Sequence, residues 1–107
     1  MAVCWCLTMA RGENKVESYL HKRITQLGGT TRKWVSPGRD SVPDRIGFLP
    51  NNIIFFAEVK TMNGVLTVRQ SREIETLKSY DCEVYVVYGT DGVDKLTEHL
   101  RTKHGIA

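Results

Sequence analysis

Asp44-Arg45-Ile46-Gly47-Phe48-Leu49-Pro50-Asn51-Asn52-Ile53-Ile54-Phe55-Phe56-Ala57-Glu58-Val59-Lys60 holds two apolar, strand-forming runs joined by Pro-Asn-Asn, the chemistry of a tight turn. This is the clearest hairpin in the chain. With the turn centred on Asn51, the numbers of paired residues sum to 102, and Asp44 falls opposite Glu58 because 44 + 58 = 102. Side chains alternate across a strand, so Asp44, Ile46 and Phe48 share a face with Ile54, Phe56, Glu58 and Lys60. Two acids and a lysine therefore end an otherwise apolar face.

Directly opposed carboxylates destabilise a sheet, so something has to compensate. Protonation of one acid would do so, as would Lys60 acting as counter-ion. A divalent cation would do so by taking oxygen ligands from both, and Mg²⁺ suits that task because it accepts one or two carboxylates and keeps waters for a phosphate. The plain alternative is a strand-end salt bridge between Glu58 and Lys60.

Outward from the hairpin, Val16, Leu20, Ile24 and Leu27 recur at helical spacing from Glu13 to Leu27, and Gly28-Gly29 stops that helix. Thr30 to Val35 has strand composition, and Ser36 to Asp40 reads as a turn or loop. Thr67 caps a helix expected to reach Tyr80, with Val68, Ile74 and Leu77 inward and Arg69, Arg72, Glu73 and Lys78 outward. Glu83 to Tyr88 reads as a buried strand. Asp91 is expected to cap a last helix carrying Val93, Leu96 and Leu100. The order is α-β-β-β-α-β-α, and a hairpin followed by a crossover predicts an α/β fold with one mixed β-sheet flanked by helices.

The 107 residues are 41% hydrophobic and 25% charged, which places them among single globular domains and excludes disordered, collagen-like and disulfide-scaffold classes. No apolar run is long enough to cross a bilayer and no basic secretion signal opens the chain, so a cytoplasmic protein without membrane partners is expected. Three cysteines, with Cys4 and Cys6 too close to pair, read as free thiols. The net charge of +3 is small, but residues 1–60 hold nine Lys or Arg against five Asp or Glu. Among these, Arg11, Lys15, Lys22, Arg23, Arg32, Lys33, Arg39 and Arg45 suit a phosphate-tracking face, with a solvated surface as the alternative.

Pro43-Asp44, thirteen further residues, and then Glu58-Val59-Lys60 resemble the PD-(D/E)xK nuclease superfamily. With Glu17 in the first helix and Gln70 ten residues after Lys60, the chain resembles a stand-alone VRR-NUC (virus-type replication-repair nuclease) domain of phage or bacterial type, from about Asn14 to Leu96. Residues 1–12 lie outside the resemblance as an N-terminal extension, leaving 13–107 as the nuclease domain, and Met9 is a candidate natural start. The resemblance implies a restriction-endonuclease-like core. It also implies that Asp44 and Glu58 are metal ligands, that the Val59 carbonyl completes the coordination, that Lys60 is the catalytic lysine, and that Glu17 and Gln70 complete the site. Mg²⁺ is the implied cofactor, with Mn²⁺ able to substitute. The segment from Thr61 to Leu66 departs from the family by offering no basic residue.

The activity implied is metal-dependent hydrolysis of phosphodiester bonds in branched DNA, in a bacterial or phage-infected cell, with no small-molecule substrate. A homodimer resembling a Holliday-junction resolvase is expected, since symmetrical cutting of a four-way junction needs two sites. The alternatives are a non-catalytic branched-DNA-binding module, a nuclease for flaps or other structures, and a small interaction protein whose hairpin acids are salt-bridged. A lysine acts as a base only after losing a proton, which neighbouring carboxylates oppose, so orientation and charge stabilisation are the roles favoured for Lys60. Without the resemblance, Glu17 reads as a helix acid paired with His21, and Gln70 as a surface residue. Arg39 and Arg69 are candidate phosphate contacts, and Gly38 a turn residue with positive φ. The three histidines form no metal spacing, and Trp34, Tyr85 and Tyr88 are expected in the core or an interface.

Overall fold

The structure, a computed structural model, describes residues 2–106, with side chains from Gly12 onward. Its elements follow the expected order: α1 (Ala2–Gln26), β1 (Thr30–Lys33), β2 (Arg45–Leu49), β3 (Ile53–Lys60), α2 (Val68–Ser79), β4 (Glu83–Tyr88) and α3 (Gly89–His104). The first helix starts well before Glu13, so the expected start falls inside it. It ends where expected, with Gly28 N–H bonded to Thr25 O and Gly29 N–H to Ile24 O.

The sheet runs β1-β2-β3-β4, antiparallel in its first two pairs and parallel in the last. The hairpin register matches expectation, from Arg45 opposite Ala57 to Leu49 opposite Ile53. Asn51 and Asn52 both take positive φ, 70° and 64°, the left-handed conformation that asparagine tolerates in turns.

Both faces of the hairpin are apolar, and they are covered unequally. One face, with Leu49, Phe55, Ala57 and Val59 and the neighbouring Val87 of β4, packs under α1 and α3 through Val16, Leu20, Ile24, Val93, Leu96 and Leu100. The other face, which carries Asp44, Glu58 and Lys60, is covered in part by α2, whose Ile74 is buried, and it leaves Phe48 and Ile54 exposed. Helix α2 differs from expectation in two places. Val68, expected inward, is exposed in the first turn, and Glu73, expected outward, is buried where it meets Arg39 from the β1–β2 loop. Asp91 is not a cap. Strand β4 runs directly into α3 with Tyr88 as N-cap, so Asp91 lies in the first turn, where a carboxylate favours the helix dipole. Cys82 carries a free thiol, while Cys4 and Cys6 lie outside the residues whose side chains are described.

Gly47 sits against the ring of Phe55, and a Cβ there would come 2.1 Å from Phe55 Cζ. Gly47→Ala is therefore expected to destabilise the fold by about 1–3 kcal/mol through overpacking. A melting midpoint lowered by less than roughly 4 °C would contradict that close packing.

Candidate active site

The site is built on one rung of the sheet. Asp44 lies one residue before β2, and continuation of the hairpin register sets it beside Glu58. It is held from both sides: its main-chain carbonyl accepts from Trp34 N–H at 3.0 Å, and its Oδ2 accepts from Val59 N–H at 2.8 Å. Glu58 is 2% exposed. Its Oε2 lies 3.5 Å from Lys60 Nζ and accepts from Gln70 Nε2 at 3.2 Å.

Gln70 reaches Glu58 because of how α2 starts. Thr67 Oγ1 accepts from Gln70 N–H at 3.0 Å, and Gln70 Oε1 accepts from Thr67 N–H at 3.0 Å. This capping box fixes the Gln70 amide with its oxygen on the helix start and its NH₂ on the Glu58 carboxylate. The cap and the site thus share one side chain.

Burial, and then the charge of Asp44, push the Glu58 carboxyl up to about 7, against the opposing pull of Lys60. One ammonium therefore does not offset two adjacent carboxylates in this setting. Among the described residues no three or more His, Cys, Asp or Glu side chains cluster as a metal cage. Two adjacent carboxylates suit a hard cation that keeps most of its waters better than an all-protein cage.

The raised value gives a pH dependence. Unfolded, Glu58 titrates near its ordinary 4.5; folded, near 7. Between the two the native state holds the extra proton, so stability is fully present below the unfolded value and declines as pH rises through the folded one. In EDTA the melting midpoint is expected to fall between pH 5 and pH 8, with a Glu58 contribution of about 1–3 kcal/mol. Glu58→Gln should flatten that fall. Equal slopes for the two proteins would show that Glu58 does not carry it.

Glu17 sits on α1, 7% exposed, with Oε1 accepting from Arg45 Nε at 2.9 Å. The partner is not His21, whose Nδ1 meets Thr31 Oγ1 at 2.7 Å. Arg45 thus points to the α1 side of β2, away from the face that carries Glu58. Glu17 nevertheless shares with Asp44 and Lys33 a cavity of about 450 Å³, which also reaches Thr61.

Two ion pairs tie the β1–β2 loop to α2. Arg39 Nη2 lies 2.5 Å from the buried Glu73 Oε1, and Arg69 Nη2 lies 3.1 Å from Asp40 Oδ1. Gly38 takes the expected positive φ, 79°, in the turn that presents Arg39. Glu73 was not among the candidate residues; its place on the helix suggests an outward side chain, and only the loop's approach explains its burial. Tyr85 stacks edge-on against Phe55 and His99, and Trp34 lies half-buried on Phe56 with ring centroids 5.2 Å apart. Among the described residues no helix is long and apolar enough to cross a membrane.

A four-stranded mixed sheet with an acid pair and a lysine on its hairpin defines a restriction-endonuclease-like nuclease domain. A solved structure named "VRR_NUC domain" superposes with a TM-score of 0.78 at 38% identity, covering 82% of this chain and 96% of that one. A curated phage protein, "Putative nuclease p44" of Acyrthosiphon pisum secondary endosymbiont phage 1, is 38% identical over 79 residues, which make up 74% of this chain and 85% of that protein. No protein-family model matches the chain. The chain belongs to the VRR-NUC family.

Proposed function

We propose that this chain is a divalent-metal-dependent DNA endonuclease that hydrolyses phosphodiester bonds in branched DNA and works as a homodimer in the manner of a Holliday-junction resolvase. The observation that supports it most is the convergence of Lys60 and Gln70 on the Glu58 carboxylate, with Asp44 on the same rung as Glu58.

Asp44 and Glu58, with the Val59 carbonyl and the nearby Glu17, are the residues that would hold a cation. Mg²⁺, for which Mn²⁺ can substitute, supplies Lewis-acid polarisation of the scissile phosphate and a more acidic water when bound. Lys60 donates hydrogen bonds toward the water or a non-bridging oxygen and offsets the charge that builds on the phosphate. Gln70 Nε2 donates to Glu58 Oε2 and so fixes the carboxylate. Lys33, Arg39 and Arg69 meet the DNA backbone. Arg45 instead holds Glu17 in place.

The test is incubation with labelled four-way, flap, single-stranded and linear duplex DNA in Mg²⁺, Mn²⁺ or EDTA. Metal-dependent cutting of the branched substrates in preference to linear duplex is expected, and binding without cutting in either metal would overturn the enzyme. Light scattering should show a dimer at micromolar concentration. A monomer there would remove the resolvase assignment.

A further inference from the structure

The active-site rung has a third member on its open side. Strand β1 pairs with β2 so that Lys33 lies opposite Arg45, and the Trp34 N–H to Asp44 O bond carries that ladder one residue further. Trp34, Asp44 and Glu58 are therefore consecutive cross-strand neighbours projecting to the same face. The indole of Trp34 rests on Phe56 from below and stays half-open above.

Above it lies a cavity of about 520 Å³, lined by Trp34 and Val42 as its apolar wall, by Asp44 from the catalytic rung, and by Arg39, Asp40 and Arg69 at its mouth. That is the size of a small-ligand site. Its chemistry combines the π-face of Trp34 with two guanidinium groups, Arg39 paired with Glu73 and Arg69 paired with Asp40. Each arginine is paired with one carboxylate yet stays mostly exposed, and a guanidinium has five donors, so donors remain for the phosphate of a nucleotide whose base meets the π-face.

We propose that this cavity takes one unpaired nucleobase, stacked on Trp34, from the nucleotide adjoining the scissile phosphate. The assignment rests on the nuclease reading above for its substrate and deepens it. A base in an intact duplex has both faces stacked and must be unpaired to enter, whereas a base at a branch point or in a single strand is already free. Trp34 would then select branched and single-stranded substrates without reading sequence, since every base has a π-face.

The chain has two tryptophans, so Trp5→Phe leaves Trp34 as the sole indole emitter. Titration of that variant in Ca²⁺ with a short oligothymidylate is expected to quench the emission. The same strand with abasic residues should quench weakly and bind about 5- to 100-fold less tightly, the range for one stacked base. Trp34→Leu should weaken oligothymidylate binding by the same factor and leave abasic binding unchanged, and Trp34→Phe should keep most of the preference. Should Trp34→Leu fail to fold, the comparison of the two strands on the Trp5→Phe protein decides the question.

Equal quenching and equal affinity for the two strands would overturn the base cavity, whether or not the protein cuts DNA. Cleavage of a four-way junction by the wild type in Mg²⁺ reads the nuclease activity separately. Base-dependent quenching with no cleavage would remove the nuclease reading and leave the cavity as the site of a single-strand-binding module.

Discussion

Lys60→Met is expected to lower metal-dependent cleavage of branched DNA by about 10²- to 10³-fold, the usual cost of removing one group that stabilises transition-state charge. The change is chosen for its shape. Lys60 is 9% exposed, and its stem packs against the turn at Gly64, so an unbranched apolar side chain keeps the packing while deleting the ammonium. Metal binding should survive because Asp44 and Glu58 remain, and added Mg²⁺ should still raise the melting midpoint. A mutant that cuts at the wild-type rate would leave Lys60 as a mere counter-ion for Glu58. A mutant that neither cuts nor responds to Mg²⁺ would mean that Lys60 acts by organising the carboxylates.

Asp44→Asn should be the more damaging change to catalysis and the gentler one to the fold. The amide oxygen can still accept from Val59 N–H, so the bond that pins this residue to β3 persists. What disappears is one of two adjacent negative charges. Cleavage is expected to fall by about 10³-fold and the stabilisation by Mg²⁺ to be lost. Glu58, freed of the charge that helps hold its carboxyl up near 7, should ionise more readily. In EDTA at pH 8 the variant should therefore melt higher than the wild type, by roughly 0.5–1 kcal/mol of stability. Loss of activity with gain of stability is the signature of a site that holds repelling charges for a ligand. A variant that melts lower at pH 8 and still cuts would contradict the role given to Asp44.

The parts of this centre that were legible in the sequence are those fixed by short-range geometry. A three-residue turn with two asparagines sets the hairpin register, and the register alone brings Asp44 to Glu58. Thr67 and Gln70 likewise belong to one helical turn, and their spacing is visible, although nothing local shows that the Gln70 amide also reaches Glu58. The family resemblance named Glu17, Gln70 and Val59; residue spacing by itself did not.

What the sequence hid depends on long-range approach. Trp34 and Asp44 are separated by a long loop whose turn pairs Ser36 with Arg39, a sum of 75, while β1 and β2 pair with a sum of 78, so the turn does not set that register and their place on one rung could not be counted out as it was for the hairpin. Glu73 looks outward-facing on a helical wheel and is buried only because Arg39 arrives from that same loop. Glu17 has His21 one turn away and yet pairs with Arg45 from another element. The cap of α3 was misplaced for a local reason: Asp91 is a favourable residue for a helix start, but β4 enters the helix without the intervening loop that a side-chain cap requires.

The most direct measurement is the single-turnover rate of four-way-junction cleavage by EDTA-stripped wild-type protein as Mg²⁺ is added, run beside Lys60→Met and Asp44→Asn. A saturable rise from no detectable cutting is expected for the wild type, with rates about 10²- to 10³-fold lower for Lys60→Met and about 10³-fold lower for Asp44→Asn. Undiminished cutting in EDTA, or wild-type rates from either variant, would contradict a cation-dependent centre built on Asp44, Glu58 and Lys60.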